Sequence, residues 1–272
     1  MPQNLLEDIL EHKRRLIEEK QAFFLSLKKK LENVQYSRYR LFSRMISQPG
    51  QINLIAEIKK ASPSAGLIRE NFDLLEIARV FVENKVAAIS ILTEDKYFLG
   101  GPYFIKQVSD QFNTPILTKD FIIDEGQITE ARFNGASAVL LIVALLTDQQ
   151  LKSLMEAASR MRLDCLVEVH SQDELSRALD AGAEIIGINN RSLHTLEVDI
   201  SLCERLIPKI PKDKIIVAES GFRTCQEIQK LKSLGANAVL IGETLMREKN
   251  MGKKIQELMY GQQSSSENLR DY

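Results

Sequence analysis

The sequence predicts an α/β fold, a single (β/α)₈ TIM barrel with an additional N-terminal helical segment. Eight short apolar runs alternate with amphipathic stretches of helical period. Glycines stand two or three residues ahead of several runs, where helices must stop. Residues 135–142 are echoed by residues 235–242, four βα units later, as in a barrel built from two similar halves.

Three regions follow along the chain. Residues 1–49 form a helical extension: Leu6, Ile9, Leu10, Leu16, Ile17, Phe24, Leu27 and Leu31 recur at helical spacing between charged residues. These are one or two amphipathic helices that must dock on something. Its basic residues, Lys28 to Lys30, Arg38 and Arg40, are expected to be a solvated face rather than a polyanion site. Residues 50–260 form the barrel, and residues 261–272, with a glutamine and serine run, are expected to be a disordered tail.

The apolar runs are 54–58, 87–92, 115–117, 138–143, 165–169, 185–188, 215–218 and 238–241. Continuous apolar character predicts strands covered on both faces, as in parallel sheets. Helices are predicted over 74–82, 148–161, 172–181, 201–207 and 224–234, among others. A doubly wound open sheet would carry a glycine-rich turn after its first strand, and G-x-G-x-x-G is absent.

Composition excludes several classes of function. The chain has 272 residues, 44% hydrophobic and 27% charged, with formal net charge -1. Such a chain has no global field to attract nucleic acid or anionic lipid. Its three cysteines, Cys165, Cys203 and Cys225, form no metal or disulfide pattern. Residues 1–20 are charged throughout and the longest apolar run is far too short for a bilayer, so a cytoplasmic protein with no membrane partner is expected.

In such barrels the chemistry lies at the C-terminal ends of the strands. Side chains alternate along a strand, so Glu57 and Lys59 share one face and Ile58 the other. Lys119, Glu168, Asn189 with Arg191, Glu219 and Glu243 end later runs. A lone charge at a strand end is usually a solvated cap. Lysines and glutamates converging on one rim instead suit an anionic substrate and split acid and base roles. Ser220-Gly221 and Gly242-Glu243 put bare backbone N–H groups after the seventh and eighth runs, where barrels bind phosphate. The small-residue loop 61–66 reads as a mobile lid, and Tyr97-Phe98 as an aromatic wall for a planar substrate. His170 and His194 lie near the same rim without an assigned role.

Ala56-Glu57-Ile58-Lys59-Lys60-Ala61-Ser62-Pro63-Ser64 resembles the signature of indole-3-glycerol-phosphate synthases. Leu92-Thr93-Glu94 with Phe98-Leu99-Gly100-Gly101, Lys119-Asp120-Phe121, Leu166 to His170, Gly187 to Arg191 and Glu219-Ser220-Gly221 resemble it too, in order and over nearly the whole chain. The resemblance implies a decarboxylating lyase of tryptophan biosynthesis. It converts 1-(2-carboxyphenylamino)-1-deoxyribulose 5-phosphate to indole-3-glycerol phosphate, carbon dioxide and water, without metal or organic cofactor. It implies that Lys119 protonates the ketone oxygen and that Lys59 holds and polarises the substrate. Glu57 and Glu168 would serve condensation and dehydration, the steps not divided between them. Asn189, Arg191 and Ser62 would orient polar groups, and Glu219 would partner the lysines. Ser220, Gly221, Gly242 and the backbone of Glu243 would hold phosphate, and Phe98 and Phe121 would contact the aromatic ring. Burial and a neighbouring cation are expected to lower the pKa of Lys119. The extension resembles the family's extra helix over the barrel mouth.

The partner expected is a phosphorylated small molecule, for a monomer with association with other tryptophan-pathway enzymes left open. The rivals are another phosphate-binding barrel, such as phosphoribosylanthranilate isomerase, and a non-catalytic scaffold or RNA-binding barrel. The isomerase needs a cysteine at the rim, whereas Cys165 begins its run.

Overall fold

A computed structural model describes residues 5–32, 34 and 40–261. The tail expected after Gly261, and Arg38 of the basic segment, lie outside the described residues.

Eight parallel strands close into a barrel: β1 (Asn53–Ile58), β2 (Ala88–Leu92), β3 (Ile116–Lys119), β4 (Ala138–Ile142), β5 (Asp164–Val169), β6 (Ile185–Asn189), β7 (Ile215–Glu219) and β8 (Ala238–Ile241). They pair in sequence order, and β1 closes the ring against both β2 and β8. Three strands end later than their apolar runs, β3 reaching Lys119, β6 Asn189 and β7 Glu219, and β1 starts one residue earlier, at Asn53. The ladder does not stop where hydrophobicity stops. Leu92 is in register with Lys119, and Asn189 with Glu219. A polar side chain that points into a cavity leaves its backbone free to pair, so apolar patterning alone truncates strands at their functional ends.

The barrel interior is filled by Ile55, Leu117, Leu140, Leu166, Val217 and Leu240. Two residues further along five of the strands, on the same face, come Glu57, Lys119, Glu168, Glu219 and Gly242. Intervening residues such as Ile89, Val139, Val167 and Ile186 face outward into a second, larger core. The helices are α1 (Leu5–Glu19), α2 (Gln21–Leu31), α3 (Leu41–Ile46), α4 (Leu74–Glu83), α5 (Tyr103–Ser109), α6 (Glu125–Phe133), α7 (Asp148–Arg160), α8 (Gln172–Asp180), α9 (Ser201–Leu206), α10 (Cys225–Leu234), α11 (Glu243–Met246) and α12 (Met251–Tyr260); α4 to α12 complete that core, α2 packs on α6, and α1 and α3 serve the barrel ends. Several helix starts are set locally. Asp124 with Gln127, Thr147 with Gln150 and Thr224 with Glu227 form capping boxes on α6, α7 and α10. Gly235 ends α10 at φ 111°, a conformation that costs a side-chain-bearing residue dearly.

The N-terminal extension serves both ends of the barrel. Leu5, Leu6 and Ile9 of α1 line the cavity at the C-terminal ends of the strands. Helix α3 closes the opposite end: Phe42 and Ile46 are fully buried with Ile55, Ala88, Ala138 and Ala238. Asp164 accepts from the backbone N–H of Ser43 at 2.9 Å, and Asn53 donates to the carbonyl of Ile46 at 3.0 Å. A buried amide and a partly buried carboxylate thus fix the plug in orientation. Among the described residues no helix is long and apolar enough to cross a membrane.

Candidate active site

A cavity of about 800 Å³ opens at the C-terminal ends of the strands, and every residue given a catalytic, substrate or phosphate role from the family resemblance lines it. Two ion-pair centres occupy its floor. In the first, Lys59 Nζ lies 2.7 Å from Glu57 Oε1, both side chains being largely buried. In the second, Lys119 Nζ lies 2.7 Å from Glu168 Oε2 and 3.1 Å from Glu219 Oε2, so one ammonium is clamped between carboxylates from β5 and β7.

Two glycines make room for these carboxylates. A Cβ on Gly187 would stand 2.3 Å from Glu219 Oε1, and one on Gly242 would stand 2.3 Å from Glu57 Oε1. Gly242 therefore has a steric reason to be glycine apart from any contact with phosphate. Gly242→Ala is expected to swing Glu57 off Lys59 and lower kcat about ten- to a hundredfold, with KM little changed, because small displacements at a reacting centre are costly. Steady-state kinetics on the folded variant measure it; a rise in KM alone would assign Gly242 to anion binding only.

The electrostatics correct one expectation. Burial pulls the Lys119 pKa down, as expected, but Glu168, Glu219 and Glu57 together outweigh it and the net shift is upward. The neighbours that decide the sign are carboxylates, not a cation. Glu168 is held well below the carboxylate range: burial pushes it up, and Lys119 and His170 overcome that. Glu219 goes the other way, raised chiefly by burial and further by Glu168, against the pull of Lys119. The two glutamates flanking one lysine thus differ in proton affinity, the condition for distinct acid and base roles.

The walls are built by loops. Phe98 and Phe121 face each other with ring centroids 6.2 Å apart at 46°. The backbone N–H groups of Lys96, Tyr97 and Phe98 all donate to the buried carboxylate of Glu94, which fixes the loop that carries Phe98. Tyr97, expected to share the aromatic wall, instead lies 4.9 Å under the Lys96 ammonium and does not line the cavity. Loop 61–66 is folded back as a two-stranded hairpin, Ala61–Ser62 against Gly66–Leu67, with Ser62 Oγ accepting from Ala65 N at 3.2 Å. The Asn189 side-chain oxygen accepts from the backbone of Arg191 at 3.0 Å, and the Arg191 guanidinium donates to the carbonyl of Leu196 at 2.9 Å and lies 3.5 Å from Glu243.

Across the cavity lie Ser220, at φ 69°, and Gly221, at φ 95°, where a Cβ would stand 2.6 Å from Val198. The Asn190 side chain donates to the carbonyl of Ser220 at 3.0 Å and holds this turn. The first N–H groups of α11 have no intrahelical acceptor, and Gly242, Glu243 and Thr244 at its start line the same space. Arg223, Arg247 and Lys254 surround this end. None of the three was named from the sequence, because isolated basic residues in loops and at helices look like ordinary solvated ones until the fold turns them inward. Helical spacing predicts that Leu6 and Ile9 dock on something; the fold shows that, with Leu5, they cover the cavity.

A closed parallel barrel with paired lysines and carboxylates on its floor, aromatic rings on one side and cations on the other defines a barrel enzyme for an anionic, ring-bearing substrate. Comparison with known proteins agrees. The family model described as indole-3-glycerol phosphate synthase matches residues 6–258. Curated proteins of that name include one from Caldanaerobacter subterraneus subsp. tengcongensis, 49% identical over 243 residues, covering 89% of this chain and 93% of that protein. Another, from Alkaliphilus metalliredigens, is 42% identical over 259 residues, covering 94% and 98%. Among solved structures, a 3-hexulose-6-phosphate synthase superposes with a TM-score of 0.62 at 17% identity, over 77% of this chain and 99% of that one, a likeness of fold alone. The chain belongs to the indole-3-glycerol phosphate synthase family.

Proposed function

We propose that this chain closes the indole ring of 1-(2-carboxyphenylamino)-1-deoxyribulose 5-phosphate, releasing carbon dioxide and water, with Lys119 as the general acid. The observation that carries this reading is the Lys119 ammonium held between Glu168 and Glu219 on the cavity floor. Attack of the aromatic ring carbon on the ketone carbon builds negative charge on the ketone oxygen. A fixed ammonium stabilises that charge more in the transition state than in the ground state and donates the proton. Because the lysine pKa is raised, the acid is fully charged at neutral pH. Loss of carbon dioxide then restores the ring, and departure of the hydroxyl as water needs one proton delivered and one removed. Glu57 and Glu168 are the carboxylates that share those transfers with Lys119, and Lys59 polarises the substrate. Phe98 and Phe121 flank the aromatic ring. Asn189, Arg191 and Ser62 orient polar groups, and the turn at Ser220 and Gly221 with the backbone at Gly242 and Glu243 receives phosphate.

In this reading the enzyme is a cytoplasmic monomer whose partner is the phosphorylated substrate, with neither nucleic acid nor membrane. Isomerase chemistry finds no support, since Cys165 packs toward the outer core and burial pushes its thiol up to about 12. The purified protein, given the substrate in the presence of a strong chelator, is expected to generate indole absorbance at the rate seen without chelator. Absence of product in both conditions would remove the reading, and loss of product only with chelator would remove its metal-free chemistry.

A further inference from the structure

His170 follows β5 and sits behind Glu168, outside the cavity, with its side chain 11% exposed. Its Nε2 lies 3.2 Å from Glu168 Oε1, the oxygen opposite the one that meets Lys119. Its Nδ1 lies 3.2 Å from Glu174 Oε2, which also accepts the His170 backbone N–H at 2.8 Å. A neutral imidazole has one N–H and one lone pair, so one of the two carboxylates would face a lone pair. At Nε2 the contact is an ion pair at 3.2 Å and not an aligned hydrogen bond, so only the imidazolium, positive toward both sides, is attracted to both carboxylates. Exchanging the two ring nitrogens changes nothing in this argument, because each faces a carboxylate.

We propose that His170 is a positively charged positioning residue, whose imidazolium grips the rear oxygen of Glu168 so that the front oxygen stays on Lys119. This deepens, and rests on, the reading of Glu168 as an acid/base carboxylate. The result is a row of alternating charge from Lys119 through Glu168 and His170 to Glu174. Glu174 is itself fixed, since its backbone N–H donates to Ser171 Oγ at the start of α8.

The surroundings leave the two carboxylates in control of the imidazole. On β5 the facing group is Glu168, and on α8 it is Glu174. Arg177, three residues further along α8, is occupied by Asp148 and by the carbonyl of Val143, and Lys209 from the turn after α9 is bound to Gln172. Across Glu168 stand Lys119 from β3 and Glu219 from β7. The 3₁₀ turn Val143–Leu145, which packs against β5 and α8, carries no ionisable side chain. Burial depresses the imidazole pKa, but the hydrogen bonds and charges of Glu168 and Glu174 outweigh it and raise it to about 9. With a folded pKa above the unfolded value, the stabilising contribution is complete below about pH 6.5 and is lost as pH rises through about 9.

Two measurements test this independently. The first is ¹³C-edited NMR of the histidine ring protons in the wild type, with His170 assigned as the resonance missing from H170Q. A titration midpoint near 9 is expected, moving down by about one unit in E174Q, which loses one of the two carboxylates. A midpoint at or below 6.5 would overturn the proposal whether or not the enzyme turns over. The second is the pH profile of kcat. The wild type is expected to lose kcat around pH 9. H170N, which keeps a donor but no charge, should be about tenfold slower at neutral pH, with KM little changed and that alkaline fall absent. A wild-type-like profile in H170N, with the wild type active and Lys119→Ala inactive, would overturn His170 alone. A wild type without product would instead discard the assignment of the reaction and leave the NMR result to judge the imidazolium.

Discussion

Lys119→Ala is expected to lower kcat by about a hundred- to ten-thousandfold, the usual worth of a positioned acid. Substrate should still bind, because Lys59, Arg191 and the phosphate end of the cavity are untouched. A second consequence is specific to this site. Removing the ammonium leaves Glu168 and Glu219 facing each other, almost fully buried, with no cation between them. Breaking a buried pair from one side costs about 3–5 kcal/mol unless the survivors take up protons. The carboxylate held low in the wild type must then rise, and the variant should bind extra protons on folding. The measurements are single-turnover ring closure, equilibrium binding of substrate, and denaturant unfolding at two pH values. Turnover at the wild-type rate would remove Lys119 as the acid. Lys119→Met, which fills the same space without charge, separates lost packing from lost charge.

Phe42→Ala is expected to destabilise the fold by about 3–5 kcal/mol while the active site keeps its geometry at low temperature. Phe42 is fully buried in the plug at the end of the barrel opposite the cavity, among Ile55, Ala88 and Ala138. Deleting the ring leaves a hole that rigid strands cannot collapse to fill. None of the lining residues of the cavity belongs to α3. Unfolding in urea should therefore shift strongly, while kcat/KM measured well below the melting temperature changes only severalfold. A loss under about 1 kcal/mol would mean that α3 is a surface appendage, and an equal loss of activity would mean that the two barrel ends are coupled.

The sequence by itself determined the barrel and the list of groups on its mouth. A strand has a period of two, so Glu57 and Lys59 had to share a face. Apolar runs between helical stretches specify strands covered on both sides, and eight of them close a ring. The nearest-neighbour chemistry was not legible in this way. That Lys119 lies between Glu168 and Glu219 depends on three strands from distant parts of the chain, and so does the sign of its pKa shift. Propensity and periodicity describe one segment at a time, whereas a Coulomb interaction depends on separation in space. For the same reason His170 carried no assignment: its partner Glu168 is nearby in sequence, but its burial and its second carboxylate arise only when α8 packs on β5. Arg223, Arg247 and Lys254 stand on loop and helices whose basic residues look solvated until the closed sheet turns them toward the cavity. Only the tertiary structure divided the extension between the two ends of the barrel, because an amphipathic helix announces that it must be covered and not by what.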